Sequence, residues 1–481
     1  MRLDPTWKLL TAALGLTVLS ACATYRPHPL PPPQEVAAQR MPDLERLKVE
    51  AARLHHPILK PVTLDLSDGL TPDEAAVLAV LANPDLKAVR DAHGEAAAQL
   101  IGAGVLPNPV FSGEVDHPYG AGSESTVNAT NFSLEMDVGS LIGRAARVAE
   151  ASANLQAVDL GIAWQEWQVA QAARLATVRL AMLERRLRLV KKELAFESET
   201  VSVLEEAVDK GDATVQDLGV HRSAVASLTQ LEGDLESTAA ETRSSLDLLT
   251  GLPPDADVAP VVPEQSGRSF PPLPTAQELV DRAVTSRLDL KAFQLGYQAQ
   301  EARVHQAVLA QFPSLSIGID KQRNETALHF LGGLLTLGIP IFDRNQGGIA
   351  LERATRTRLE HEYEARIART RADVARLTNQ DALLDSQIAA GRRTLHSLVP
   401  LEAAEHRGVE SGDVDRLAWQ EVRSTLLDLR LKLATLLEAR LETRITLTTA
   451  VGVPDAVSPA AAGGEPAPSA STNHDPAVPE H

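Results

Sequence analysis

The chain has 481 residues, a formal net charge of −18, only 3% aromatic residues and a single cysteine. That acidity excludes the basic footprint a nucleic-acid-binding protein needs, and the lone Cys22 excludes an intrachain disulfide and a multi-cysteine metal site. No apolar run reaches the ~18 residues of a membrane-spanning helix, so a crossing of the bilayer would have to be made by strands.

In chain order, Arg2 and Lys8 give a short basic start, and Leu9 to Ala21 is a mostly apolar run of 13 residues. It ends Leu19-Ser20-Ala21-Cys22, the shape of a bacterial lipoprotein signal (1–21) with cleavage before Cys22 and acylation, as by palmitate, on that residue. An ordinary signal peptide with Cys22 as a bystander is the alternative. Ala23, where aspartate would retain the protein at the inner membrane, points to the outer membrane. Residues 22–41 then read as a lipid-anchored linker, stiffened by Pro27-His-Pro-Leu-Pro-Pro-Pro33. Cleavage takes the charge from −18 to −19, compatible with attracting cations.

From residue 70 the sequence repeats itself. At an offset of 204, Thr71 matches Thr275, Glu74 matches Glu278, Asp85-Leu-Lys-Ala88 matches Asp289-Leu-Lys-Ala292, and Pro109, Ser112 and Asp116 match Pro313, Ser316 and Asp320. Further on, Gly211-Asp212 matches Gly412-Asp413 and Gly251-Leu-Pro253 matches Gly452-Val-Pro454 at an offset of 201, the second glycine 40 positions after the first in each copy. A whole frame repeated at constant spacing marks a duplicated structural unit. The copies span 70–252 and 274–452, joined by a Pro-rich connection at 253–273 and followed by a Pro/Ala-rich tail at 453–481 whose composition predicts disorder.

Each copy predicts a helix (72–105 and 276–310), two strands, a very long helix, a turn and a second long helix. Period-2 alternation marks the strands: Phe111 and Val115; Phe132, Leu134, Met136 and Val138; Leu315, Ile317 and Ile319; Leu335, Leu337, Ile339 and Ile341. Their expected length of about 9–11 residues is what a membrane-spanning strand needs. Residues 144–210 contain no proline and one glycine, which predicts a helix of about 100 Å at ~1.5 Å per residue. Leu183, Leu187, Val190 and Leu194 form a packing stripe on it, and Pro400 should kink its counterpart.

The fold class is therefore mostly α with a small β part: duplicated long-helix coiled-coil hairpins plus four membrane strands. Four strands cannot close a barrel. Pooling three chains as a homotrimer would complete a twelve-stranded β-barrel on an α-helical tunnel.

Leu81-Ala-Asn-Pro84 with Asp85-Leu86, Leu106-Pro-Asn-Pro109 opening a strand, Ile341-Phe-Asp-Arg-Asn-Gln-Gly347 opening a long helix, and the glycine turns near 211 and 412 resemble TolC-type outer-membrane efflux proteins over about 70–455. Within that family the chain looks most like the outer-membrane lipoprotein component of resistance-nodulation-division systems, with the heavy-metal branch the first expectation. The resemblance implies a homotrimeric, passive outer-membrane duct without cofactor or enzymatic activity, working with a periplasmic adaptor (membrane fusion protein) and an inner-membrane pump. It also implies adaptor docking at the helical tips, here Gly211, Asp212, Ala213, Thr214, Gly412, Asp413 and Val414. A tight turn between two helices would use the same glycine and aspartate. The family's periplasmic gate maps to Asp413, Asp415 and Glu421, although Leu417-Ala418-Trp419 interrupts its usual aspartates.

With the apolar strand residues toward lipid, Glu114, Asp116, Glu135, Asp137 and Asp320 line the lumen or its rim. No G-x-G-x-x-G, P-loop, zinc spacing or nucleophile elbow is found in a supporting context. His55-His56 is read as a loop-surface pair and Trp164, Trp167 and Trp419 as packing residues. A lipid-anchored periplasmic coiled-coil scaffold without a pore and a type I protein-secretion duct are the rival readings; the scarcity of aromatics favours the first of these.

Overall fold

The structure is a computed structural model that describes residues 25–37, 42–120, 123, 125–254, 256, 258–262, 270–414 and 416–454. The signal, Cys22, Asp415 and the tail beyond Pro454 lie outside the described residues. The chain divides into a small N-terminal unit ending at Met41 and a main unit from Pro42. In the first, the proline run enters a one-turn helix, α1 (Pro33–Ala37), with Pro33 at its first position, where the missing N–H costs nothing.

The main unit starts with α2 (Leu44–Ala52), whose Leu47 and Ala51 are buried in a core with Leu64, Leu70, Leu78 and Leu180. Leu70 pairs with the inter-repeat connection: its N–H donates to Ala259 O at 2.8 Å, and Val261 N–H donates back at 2.9 Å. The predicted single helix of each copy is two. α3 (Pro72–Ala82) and α4 (Pro84–Gly104) break at Asn83, α7 (Ala276–Ser286) and α8 (Leu288–Leu309) at Arg287; both hinge residues are extended at ψ 126° and 123°. Pro84 explains the first break, because proline drives the preceding residue out of the α region. The second has no proline. Arg287 instead makes two hydrogen bonds to Asp289 at 2.9 and 2.8 Å and one to Ala450 O at 3.0 Å. Thr71 and Thr275 open the first helix of each pair with the same capping box, to Glu74 and Glu278.

The strands are β1 (Val110–Asp116), β2 (Ala129–Asp137), β3 (Ser314–Arg323) and β4 (His329–Gly338), in one antiparallel meander β1-β2-β3-β4. Two expectations need correction. β1 has 7 residues, shorter than expected. β4 lies further upstream than its alternation suggested: Ile339 and Ile341 fall beyond it, since Pro340 has no N–H for the ladder.

The long helices are α5 (Arg144–Lys210, 67 residues) and α9 (Gln346–Ser411, 66 residues), each returning through a turn into a 36-residue helix, α6 (Val215–Thr250) and α10 (Arg416–Val451). α9 runs on through Pro400. The predicted stripe packs as expected: Leu183 and Val190 are buried with Leu235, and Leu187 and Leu431 lie against them.

In the second hairpin Asp381 is buried between two arginines. It accepts from Arg444 at 2.8 and 3.0 Å and from Arg440 at 3.2 Å; Arg440 also pairs with Asp385, and both guanidiniums lie over the Phe270 ring. Burial pushes the Asp381 carboxyl up, but the hydrogen bonds and charges of Arg444 and Arg440 together hold it below the usual aspartate range. A carboxyl held low stabilises the fold above its unfolded-state pKa and loses that contribution as the pH falls through the folded value, so the loss belongs to strongly acidic solution. Asp381→Asn leaves buried guanidinium uncompensated and should cost ~3 kcal/mol. Thermal unfolding of the detergent-solubilised protein should show a lower midpoint for the variant at neutral pH and convergence with the parent in strong acid.

Candidate functional site

The sheet has two chemically distinct faces, fixed by its register. Directly paired residues share a face. Phe111, Leu134, Ile319 and Gly333 form one row; Met136, Ile317 and Leu335 another; Phe132 and Leu331 flank Lys321 in a third. Leu331 is 82% exposed and Leu335 68%, so nothing among the described residues covers this apolar face there. The opposite face carries Ser112, Ser133 and Asp320 in one row, Glu114, Asn131 and Gln322 in the next, then Glu135 opposite Val110, Asp137 opposite Ser316 and Thr336, and Asp116 opposite Ala129. All five predicted acids thus fall on one face, although only side-chain alternation along each strand had indicated it. A Cβ on Gly332 would meet Asp320 Oδ1 at 2.5 Å; the glycine makes room for the carboxylate.

The tips are the two turns closing the hairpins. Gly211 and Gly412 both take φ 82°, where a side chain would be strained. Asp212 N–H donates to Ala207 O and Asp413 N–H to Gly408 O, both at 2.8 Å, satisfying carbonyls at the helix ends. Ala213 leads into Thr214, the N-cap of α6. Thr214 Oγ1 donates to Asp217 Oδ2 at 2.7 Å and accepts from Asp217 N–H at 3.1 Å, and this bonding holds the Asp217 carboxyl below its ordinary value. In the second tip Ser411 Oγ donates to Asp413 Oδ2 at 2.7 Å, and Val414 fills the space beside Gly408. Of the gate candidates, Asp413 is exposed in the turn and Glu421 exposed on α10; no hydrogen bond or ion pair joins them among the described residues.

Behind the tips are residues that sequence reasoning did not single out. Arg179, Arg186 and Glu193, seven apart on α5, pair with Glu442, Glu438 and Arg423 on α10 at 2.8, 2.6 and 2.6 Å, riveting the first copy to the second. Burial raises the Glu438 carboxyl. Arg423 also stacks over Phe196, which meets Trp419 edge-on. His221 on α6 is buried with its Nδ1 2.7 Å from Glu197 Oε2 on α5. His56 corrects the loop-surface reading. Its side chain is only 3% exposed, Nδ1 accepts from Ile58 and Leu59 N–H, and Nε2, which must then carry the proton, lies 3.3 Å from Glu166 Oε2 without hydrogen-bond geometry. Burial raises the Glu166 carboxyl, but His56 and Arg90 outweigh it and the net direction is down. Trp167 is fully buried in the core and Trp164 stacks under Arg287, as packing residues do.

Residues 279–453 match the family of outer membrane efflux proteins. That match falls on the second copy. Solved structures carry the likeness across the repeat. CusC, described as forming a transmembrane channel, is 20% identical with a TM-score of 0.66, covering 79% of this chain and 92% of its own. A membrane protein from Pseudomonas aeruginosa is 19% identical with a TM-score of 0.68, covering 89% and 99%. The MtrE outer membrane channel of Neisseria gonorrhoeae, in its open state, is 15% identical with a TM-score of 0.62, covering 90% and 98%. The chain shares its fold with these proteins. No curated protein matches the sequence.

The Thr214 capping box closes the first tip. Thr214→Ala should cost ~1 kcal/mol locally, which hydrogen exchange at the first α6 amides should report as an about fivefold faster rate.

Proposed function

We propose that the chain is the outer-membrane exit duct of a tripartite efflux pump, a homotrimer that passively conducts substrate across periplasm and outer membrane. The supporting observation is the sheet: one uncovered apolar face, one face bearing all five acids, and free edges on β1 and β4. An open sheet of this kind is stable in a bilayer only when its edges are paired, so three chains would close a twelve-stranded barrel with its apolar face to lipid and its acidic face to the lumen.

The helical hairpins would continue the lumen through the periplasm. A periplasmic adaptor would dock on the tips at Gly211–Thr214 and Gly412–Val414, and a resistance-nodulation-division pump would supply energy and substrate selection. Acylation at Cys22 would anchor the N-terminus to the outer membrane. Asp413, Asp415 and Glu421, repeated three times around an axis, would repel one another and attract cations at the periplasmic entrance. The lumenal acids Glu114, Asp116, Glu135, Asp137 and Asp320 would number fifteen in the trimer, which favours cationic substrates, metal ions or cationic drugs. The duct needs no cofactor and performs no catalysis.

The oligomeric mass of detergent-extracted protein and its conductance in a planar bilayer test this together. The expected species is a trimer that conducts and prefers cations, and Glu135→Gln with Asp320→Asn should weaken that preference without abolishing conductance. A water-soluble, non-conducting species after removal of the lipid anchor would replace the duct with a periplasmic scaffold; anion preference would remove the cation reading alone.

A further inference from the structure

The strands contain just two lysine or arginine residues, Lys321 and Arg323, and both point to the apolar face, away from every strand acid. Lys321 shares its row with Phe132 and Leu331, and Arg323 shares the next with Thr130, Val115 and His329. These are the last rows before the Asn324–Leu328 turn, at the end of the sheet remote from α5 and α9. From there to Leu315 and Leu337 the face is apolar over six residues of β4, about 20 Å at ~3.3 Å per residue. At the opposite end Arg344 follows β4, its Nε 3.4 Å from Pro340 O.

Among the described residues neither Lys321 nor Arg323 forms an ion pair, and Arg323 Nε is buried without a hydrogen-bond partner. In the β3–β4 turn Asn324 Oδ1 accepts from Thr326 N–H, Thr326 Oγ1 and Leu328 N–H, and Glu325 O accepts from Val127 N–H at 2.9 Å. A cation on the lipid face costs ~2–4 kcal/mol at the bilayer midplane and close to nothing at the interface. Two cations without an ion pair at the rim of an apolar band therefore mark where hydrocarbon ends and head groups begin.

We propose that Lys321 and Arg323 form a docking site for phosphorylated lipid head groups at the loop end of the barrel, a reading that rests on the chain being a membrane channel. Lysine offers a compact charge and arginine a planar fork; both suit phosphate oxygens. His329, in the same row as Arg323, borders the site.

The test uses the full-length protein in neutral detergent, with phosphatidic acid and diacylglycerol of identical acyl chains as probes, so that the two lipids differ only by the phosphate. Bound lipid is read by native mass spectrometry, and conductance of each sample is recorded in parallel. The parent should bind phosphatidic acid at least about tenfold more tightly than diacylglycerol. Lys321→Gln with Arg323→Gln should lose about 30-fold in that affinity, given about fivefold for each basic residue beside an anionic head group, while still conducting. Lys321→Gln alone provides the smaller loss should the double variant fail to fold. Lys321→Arg should retain binding. Equal binding of both lipids, or equal phosphatidic acid binding by parent and variants, overturns the proposal. Full competition by inorganic phosphate at the lipid's concentration also overturns it, assigning the site to a free anion. A parent that binds neither lipid and does not conduct removes the channel reading instead, and this proposal with it.

Discussion

Each half of the molecule closes on the exposed carbonyls at the end of its returning helix. Asn83 Nδ2 donates to Leu249 O at 3.0 Å, and Arg287 Nη1 donates to Ala450 O at 3.0 Å. These residues are the hinges of their short-helix pairs. Immediately beyond, Gly251 and Gly452 turn left-handed at φ 67° and 78° and lie against Ala82 and Arg287. A helix end leaves carbonyls without partners, and the duplicated chain answers that need with the same hinge twice, using different side chains. The strands and the long helices hang from these two joints: α4 and α8 lead directly to β1 and β3.

The two copies are fastened to each other by other means. The α5–α10 ion pairs cross from one copy to the other; the Leu70–Ala259 bridge ties the connection to the first copy, and Arg444 donates to Pro271 O at 2.9 Å, holding the connection against α10. Coulombic and hydrogen-bonded contacts of this kind give register between long helices whose small apolar stripes would tolerate sliding. Apolar packing supplies the bulk of the core, and the charged pairs select one alignment.

Much of this was legible in the residues. Absence of proline fixed α5 at 144–210, and Gly211 and Gly412 marked both turns, because these signals act within a few residues of themselves. The break at Asn83 is readable from Pro84; the break at Arg287 has no proline and joins a local pair with Asp289 to a contact with Ala450, 163 residues away. The burial of His56 likewise depends on Glu166. The ladder of Arg179, Arg186 and Glu193 shows a heptad spacing, but charged residues are so common on these helices that spacing alone cannot choose the partners. Among site residues, the grouping of five acids on one face followed from alternation within each strand; that the four strands share this face required the register.

The free edges of the sheet also bear on the order of events in the life of a single chain. The helical hairpins satisfy their own backbone and can form as soon as they are made, whereas β1 and β4 each present an unpaired edge of 7 and 10 residues. Until another strand arrives, those edges and the apolar face between them are an adhesive surface in water, open to pairing with any extended chain. The lone chain is thus a perishable intermediate. Were the duct to form, the lone chain's survival would depend on shielding during transit and on prompt pairing of these edges, so expression level and the supply of holding chaperones would limit yield more than the intrinsic stability of the helices does.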